Sequence, residues 1–321
     1  MAVYTQVSDA ALGQFLRDYD LGDAVAFKGI AEGVENSNYY LETTQGRYIL
    51  TLFEKRVKAE DLPYFIGLKQ HLAAQGYSCP LPIVGRDGVA LRTLADRPAV
   101  IISFLPGLSP RQPNPAQCFA IGQGLAELHQ AGHAYAGRRE NALGPGSWPT
   151  LWQGRAAQAE ALIPGLSAQI EADLKRLEGL ADRTSHLPQG TLHADLFPDN
   201  AFFMEDTLTG VIDFYFACTG SLAYDLAVCV NAWAFDAEHQ FDPEKSQKLV
   251  AGYQAIRPLE SAESDAFPLL CLGAAMRFFL TRLVDWSETP ADALVQPKDP
   301  RDYAKRLAFH RQVSAAQIYG L

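Results

Sequence analysis

Hydrophobic spacing changes period once along this chain, and that change constrains the fold more than any other feature. Residues 25–30, 38–42 and 47–53 predict three strands. Gly33 lies between the first two, and Thr44-Gln45-Gly46 between the second and third. A helix over 8–19 precedes them, with Ser8 as N-cap and Leu12, Phe15, Leu16 and Tyr19 at helical spacing. A second helix over 59–75 carries Leu62, Phe65, Ile66, Leu68 and Leu72 and ends before Gly76. Short strands over 82–84 and 99–104, with a turn at Asp87-Gly88, complete this part. Beyond Pro106-Gly107 the period becomes helical, over 115–132, 150–182, 222–235, 243–256 and 265–287. A small mixed lobe, 1–103, thus precedes a larger, mainly helical one, 104–321. The length of 321 residues, about twice the ~150 of a typical domain, agrees. There is no internal repeat.

Composition narrows the function. Lys and Arg number 27 against 37 Asp and Glu, a net charge of −10, which argues against a surface for nucleic acid or anionic membranes. A local basic pocket for a small anion stays open. Five cysteines, Cys79, Cys118, Cys218, Cys229 and Cys271, lie far apart with no C-x-x-C, so neither a disulfide framework nor a zinc ribbon is expected. The N-terminal residues lack an apolar signal region, and runs such as 269–276 fall short of the ~20 residues of a membrane span. A cytoplasmic location is the expectation. The sequence is silent on oligomeric state.

One stretch concentrates polar groups beside short apolar strands. Residues 190–214 read GTLHADLFPDNAFFMEDTLTGVIDF, placing His193, Asp195, Asp199, Asn200 and Asp213 around Ala201-Phe202-Phe203 and Gly210-Val211-Ile212. Turn chemistry accounts for Pro198-Asp199-Asn200 taken alone. Three carboxylates and a carboxamide also suit Mg²⁺, which is usually held by one or two protein groups plus substrate phosphates.

The segment HADLFPDN resembles the H-x-D-x-x-x-x-N catalytic loop shared by protein kinases and aminoglycoside- or choline-type small-molecule kinases, and Asp213 in VIDF stands where that superfamily has its second metal-binding aspartate. The resemblance implies an α+β, two-lobed protein-kinase-like fold, with a small antiparallel-sheet N-terminal lobe and a larger helical C-terminal lobe. It implies ATP as co-substrate and Mg²⁺ as cofactor. Asp195 would be the catalytic base, Asn200 and Asp213 metal ligands, and His193 and Asp225 structural supports of the catalytic loop. Ser37 and Asn38, in the covering loop EGVENSN, would face the phosphates, and the backbone near Ser103 and Leu105 would meet adenine. The helix bearing Leu125-Ala126-Glu127-Leu128-His129 resembles the one preceding the loop in these kinases, with His129 as packing.

Among small-molecule kinases the chain is similar to the homoserine kinases of the aminoglycoside-phosphotransferase type. The similarity runs through GIAEGVENSNYYLETTQGRYILTLFEKR, HADLFPDNAFF, GVIDFYFA, YDLAVCVNAW and MRFFLTRLVDW, nearly the whole chain. It implies phosphorylation of L-homoserine to O-phospho-L-homoserine, a step of threonine biosynthesis. A kinase for choline, methylthioribose or an aminoglycoside uses the same triplet, and a nucleotide-binding protein without turnover is a further alternative. The chain departs from the pattern in two places. It has no G-x-G-x-x-G, and the strand position of the kinase lysine holds Thr51, with no partner glutamate near Phe65. Lys55 or Arg56 would supply the missing cation.

Homoserine carries an ammonium, a carboxylate and a hydroxyl. On the late helix Leu272, Met276, Phe279, Leu283 and Trp286 form one stripe, with Arg277 opposite, beside Gly273, Ala274 and Thr281. Arg277 is either the cation for the substrate carboxylate or half of a structural ion pair. Arg282 has Asp285 three residues on. Asn231, Trp233 and Asp236 are further candidates to line a substrate cleft.

Overall fold

The computed structural model describes residues 4–30, 36–54, 57–290 and 296–321. The chain divides into two compact units. The first comprises Met1–Pro106, Tyr135–Gly137 and Gly210–Tyr215, and the second Gly107–Ala134, Arg138–Thr209 and Phe216–Leu321. The first boundary falls close to the expected residue 103, but the first unit also takes two later segments, one of which carries Asp213.

In the first unit, helix α1 (Asp9–Leu16) starts at Ser8, whose hydroxyl accepts from the Ala11 N–H. Strands β1 (Ala24–Gly29), β2 (Asn36–Thr43) and β3 (Gly46–Phe53) follow, then α2 (Leu62–Ala74), β4 (Arg92–Leu94) and β5 (Arg97–Ser103). All pairings are antiparallel, in the order β1-β2-β3-β5-β4. Alternation along β2 and β3 sends Tyr39, Leu41, Leu50 and Leu52 to one face, where Leu12 and Phe15 of α1 bury them. The opposite face carries the register pair Asn38 and Thr51, and then Phe53. Phe53 meets the Tyr215 ring at 5.3 Å, and Tyr215 meets Phe65 of α2 at 5.7 Å. The strand expected at 82–84 is only a bridge from Pro82 to Ile102, since prolines at 80 and 82 have no N–H for a ladder. Strand β4, three residues long, is too short to show a period.

The second unit opens with α3 (Pro115–Ala131), capped by the reciprocal Asn114 and Gln117 pair. The single helix expected over 150–182 is four: α4 (Trp148–Trp152), α5 (Ala156–Leu162), α6 (Leu166–Arg176) and α7 (Leu180–Arg183). Gly154, Gly165 and Gly179 take positive φ of 76°, 81° and 67° and break it, a conformation open to glycine at little cost. Strand β6 (Gln189–Leu192) leads into the HADLFPDN loop. The hairpin β7 (Ala201–Met204) and β8 (Thr207–Val211) follows, and then β9 (Cys218–Ser221), which pairs with β6. Helices α8 (Leu222–Trp233), α9 (Pro243–Ile256), α10 (Ser261–Glu288) and α11 (Arg301–Gln312) complete the unit. The charged sequence RDYAKRLAFHRQ hid α11 from the hydrophobic pattern, although its Tyr303, Leu307 and His310 are fully buried.

Helix α10, at 28 residues, is long and apolar enough to cross a membrane, but 78% of its most apolar window is buried within the fold. Both sides of the expected stripe are inside: Leu272, Met276 and Phe279 are buried, and so are Gly273, Ala274 and Arg277. Helices α3 and α9 touch backbone to backbone. A Cβ on Gly122 would stand 2.0 Å from the Leu249 carbonyl oxygen, and one on Gly252 would stand 2.1 Å from that of Phe119. Nothing flexible can yield there, so Gly122→Ala should destabilise the protein by about 1–3 kcal/mol, read as a lower urea midpoint at unchanged slope.

Candidate active site

The loop after β6 is built on a buried carboxylate. Asp225, on α8, is fully buried and accepts the N–H of His193 at 2.7 Å and of Ala194 at 2.8 Å. Ala194 has φ +62°, a left-handed conformation uncommon outside glycine, which the two hydrogen bonds hold in place. His129 Nε2 lies 3.1 Å from the same carboxylate, His129 Nδ1 lies 2.7 Å from the Tyr253 hydroxyl, and Arg257 donates to that hydroxyl at 3.2 Å. Glu263, fully buried, accepts two bonds of 3.0 Å from Arg257. The partners assign the protons: Arg257 donates to Tyr253, Tyr253 to Nδ1, and Nε2–H to Asp225. Burial alone would raise the Asp225 pKa. The His129 hydrogen bond, the electrostatic influence of the His129 and His193 rings and the His193 N–H outweigh it and hold the carboxyl below the usual range.

Asp195 follows on the clamped loop, its side chain 19% exposed. Arg277 Nη1 stands 3.6 Å from Asp195 Oδ1 and donates to the Ala194 carbonyl. The guanidinium is 3% exposed and lies 4.0 Å from the centre of the Phe278 ring. Of its two expected roles, the structure shows the ion pair, with Asp195 as partner. Asn200 donates from Nδ2 to the Asp195 carbonyl at 2.8 Å and to Oδ2 at 3.4 Å. Its own oxygen takes no hydrogen bond among the described residues and is available to a hard cation. The Asp195 N–H donates to His193 Nδ1 at 3.3 Å.

Two residues expected to line a substrate cleft are instead internal. Asn231 is fully buried, donating to the carbonyls of Ala227 and Cys271 at 2.9 and 3.0 Å and meeting His310 Nε2 at 3.0 Å, so every polar atom of its amide is used in tying α8, α10 and α11 together. Trp233, also fully buried, spends its only side-chain N–H on the Leu196 carbonyl at 2.8 Å and so supports the loop after β6. Asp236 accepts from the N–H groups of Glu238 and Gln240 in a turn. Arg282 pairs with Asp302 at 2.9 Å rather than with the expected Asp285, because α11 brings a carboxylate to it.

Asp213 belongs to the first unit, with φ +63° just after β8. In that unit Asn38 and Ser37 face opposite ways. The Thr51 hydroxyl donates to Asn38 Oδ1 at 2.8 Å. Ser37 spends its proton on Glu54 at 2.7 Å and accepts from the N–H groups of Tyr4 and Thr5, which removes its hydroxyl from a phosphate-binding role. Ser103 exchanges hydrogen bonds with Leu81, donating from N–H to its carbonyl and accepting its N–H at Oγ, both 2.9 Å. The Leu105 N–H meets no acceptor among the described residues. Gly33, Lys55 and Arg56 lie outside the described residues. One cation escaped the sequence analysis: Lys69 of α2 is 3% exposed, its ammonium 5.3 Å from the centre of the Tyr215 ring. Burial pushes its pKa down to about 8, while Cys79 and Asp213 act in the opposite direction. The signal was present, since residue 69 falls four after Phe65 and three before Leu72, on the apolar face of the helix.

Asp225→Asn sets an NH2 against the loop N–H groups. It should lower stability by about 3–5 kcal/mol in urea unfolding, and kcat with it. Because the folded carboxyl titrates below its unfolded value of about 3.9, its contribution is complete above that pH and is lost as pH falls through the folded pKa. As pH falls below ~4 the difference in urea midpoint between wild type and variant should therefore shrink.

A profile of the phosphotransferase enzyme family (APH) matches residues 26–259. The chain is 63% identical to the homoserine kinase of Hyphomonas neptunium and 55% identical to that of Methylobacterium radiotolerans, covering 100% of itself and at least 99% of each relative. A solved aminoglycoside phosphotransferase from Alicyclobacillus acidocaldarius aligns over 98% of this chain and 95% of its own, with TM-score 0.68 at 15% identity, which shows the shared fold. The chain belongs to the phosphotransferase enzyme family.

Proposed function

We propose that this chain transfers the γ-phosphoryl group of ATP to the side-chain hydroxyl of L-homoserine, giving ADP and O-phospho-L-homoserine for threonine biosynthesis. The observation that carries this reading is full-length similarity to homoserine kinases, joined to a loop in which Asp195 is presented on a clamped backbone. In the reaction, a bond forms between the substrate oxygen and Pγ, the bond from Pγ to the β–γ bridging oxygen breaks, and the hydroxyl proton passes to Asp195. Arg277 aims Asp195 by pairing with it, and Asn200 donates to the same carboxylate. A positioned base of this kind contributes about 10²–10⁴-fold.

Asn200 and Asp213 would hold Mg²⁺. The open amide oxygen of Asn200 and the carboxylate of Asp213 suit a hard cation that takes few protein ligands. When bound, the ion neutralises phosphate charge. The Leu105 N–H and the backbone at Ser103 would receive adenine, and Asn38 would lie near the phosphates. Five free, buried cysteines support a reducing, cytoplasmic setting.

In a coupled ADP-release screen, homoserine should give the largest kcat/KM. A much larger value with choline or an aminoglycoside would reject the proposed acceptor. Asp195→Asn should lose at least ~10²-fold in kcat while nucleotide binding persists. Arg277→Lys, which loses the planar fork, should lower kcat with homoserine KM within ~3-fold. A raised KM at normal kcat would instead make Arg277 the substrate's carboxylate partner.

A further inference from the structure

We propose that Lys69 of α2 is the cation that meets the nucleotide phosphates in the first unit, taking the part of the strand lysine that Thr51 replaces. The inference rests on the kinase reading above and adds to it a residue that neither the motif nor the covering loop identifies. Thr51 is 2% exposed and bonded to Asn38, so its strand position presents a hydroxyl already in use. On the same face of β3, two residues on, Phe53 rests against Tyr215. Tyr215 is also the ring beneath the Lys69 ammonium, and it follows Asp213 by two residues. Lys69 and the Thr51 face of the sheet thus meet at one aromatic ring, and Asp213, two residues before that ring, acts electrostatically on the ammonium.

Lysine is among the residues least often fully buried, and when buried it is usually paired. Phe65, Leu68 and Leu72 are buried on the same helix, and an apolar side chain at 69 would complete that face. The lysine instead sits there with no hydrogen bond from its ammonium and no carboxylate within 4 Å among the described residues. The Tyr215 ring face, Cys79 and the more distant charge of Asp213 are its favourable electrostatic company among the described residues. Such an ammonium still has donors to offer an anion. A helix that in the resembling kinases brings an acidic partner here brings a positive charge, and the strand that brings the positive charge here brings a neutral hydroxyl. The exchange keeps one cation in the neighbourhood of Asp213 and changes only the element that supplies it. The phosphates of ATP are the anions that the reaction places beside that aspartate.

The test uses the wild-type chain first. An acyl phosphate of ATP acylates a lysine at the phosphate site: the amine attacks the acyl carbon, an amide forms, the acyl–oxygen bond breaks, ATP leaves and the amine proton goes to water. Peptide mapping should place the label on Lys69, with excess ATP abolishing it. Label only on Lys55 or another lysine, or none at all, would overturn the proposal. In the folded Lys69→Met variant, kcat/KM for ATP should fall by at least ~10²-fold with homoserine KM within ~3-fold, and adding Thr51→Lys should restore ~10-fold or more. An unchanged kcat/KM for ATP would overturn it, and if this variant fails to fold, the wild-type labelling map decides. ADP release by wild type with homoserine reports separately on the kinase reading, so labelling at Lys69 without homoserine-stimulated turnover would reject the acceptor and keep the lysine.

Discussion

A single buried carboxylate holds the HADLFPDN loop in shape. Asp225 accepts two consecutive N–H groups of the loop, and the second belongs to Ala194, whose left-handed backbone leads into Asp195. An ionised group without solvent is costly, so the arrangement requires donors. His129 is one, and it is itself oriented by Tyr253, Arg257 and Glu263 in turn. That line of bonds runs from the N-terminus of α10 through α9 and α3 to α8. It can form only because Gly122 and Gly252 let α3 and α9 approach to backbone contact.

Charge is distributed with economy in a chain of net −10. Each of the two acidic residues assigned to the chemistry has a buried cation nearby in its own unit. Arg277 stands by Asp195, and Lys69 lies within the field of Asp213. Both cations lean on aromatic rings, Arg277 on Phe278 and Lys69 on Tyr215, which accept positive charge without competing for its donors. The two differ in kind as their partners do. A planar guanidinium can serve a carboxylate and a carbonyl together, whereas an ammonium on a flexible stem remains adaptable.

Much of this could be read from the chain. The H-x-D-x-x-x-x-N loop, the later Asp213 and the bracing Asp225 are all motif positions, and the antiparallel sheet followed by helices was visible in the change of period. Elements without a pattern of their own escaped: three-residue β4, and α11, whose buried residues are masked by charge. One long helical stretch became four helices because Gly154, Gly165 and Gly179 adopt positive φ, which residue identity permits but does not require. Asn231 and Trp233 were plausible cleft residues by type and position. Their polar atoms are instead committed inside the fold, a matter of which helices pack against α8.

The sequence by itself determined the H-x-D-x-x-x-x-N segment and the change from strands to helices, because spacing along a chain sets local geometry and hydrophobic period. Only the tertiary structure decided who partners whom. Arg277 meets Asp195 from 82 positions further along the chain, and Arg282 takes Asp302 from a helix that its own sequence does not announce. Lys69 is the clearest case. In the sequence it is one lysine in an amphipathic helix, and burial beside Tyr215 and Asp213 is what turns it into a charge with a task. Long-range electrostatic pairing depends on distances that folding creates, and those distances are not encoded at any single position.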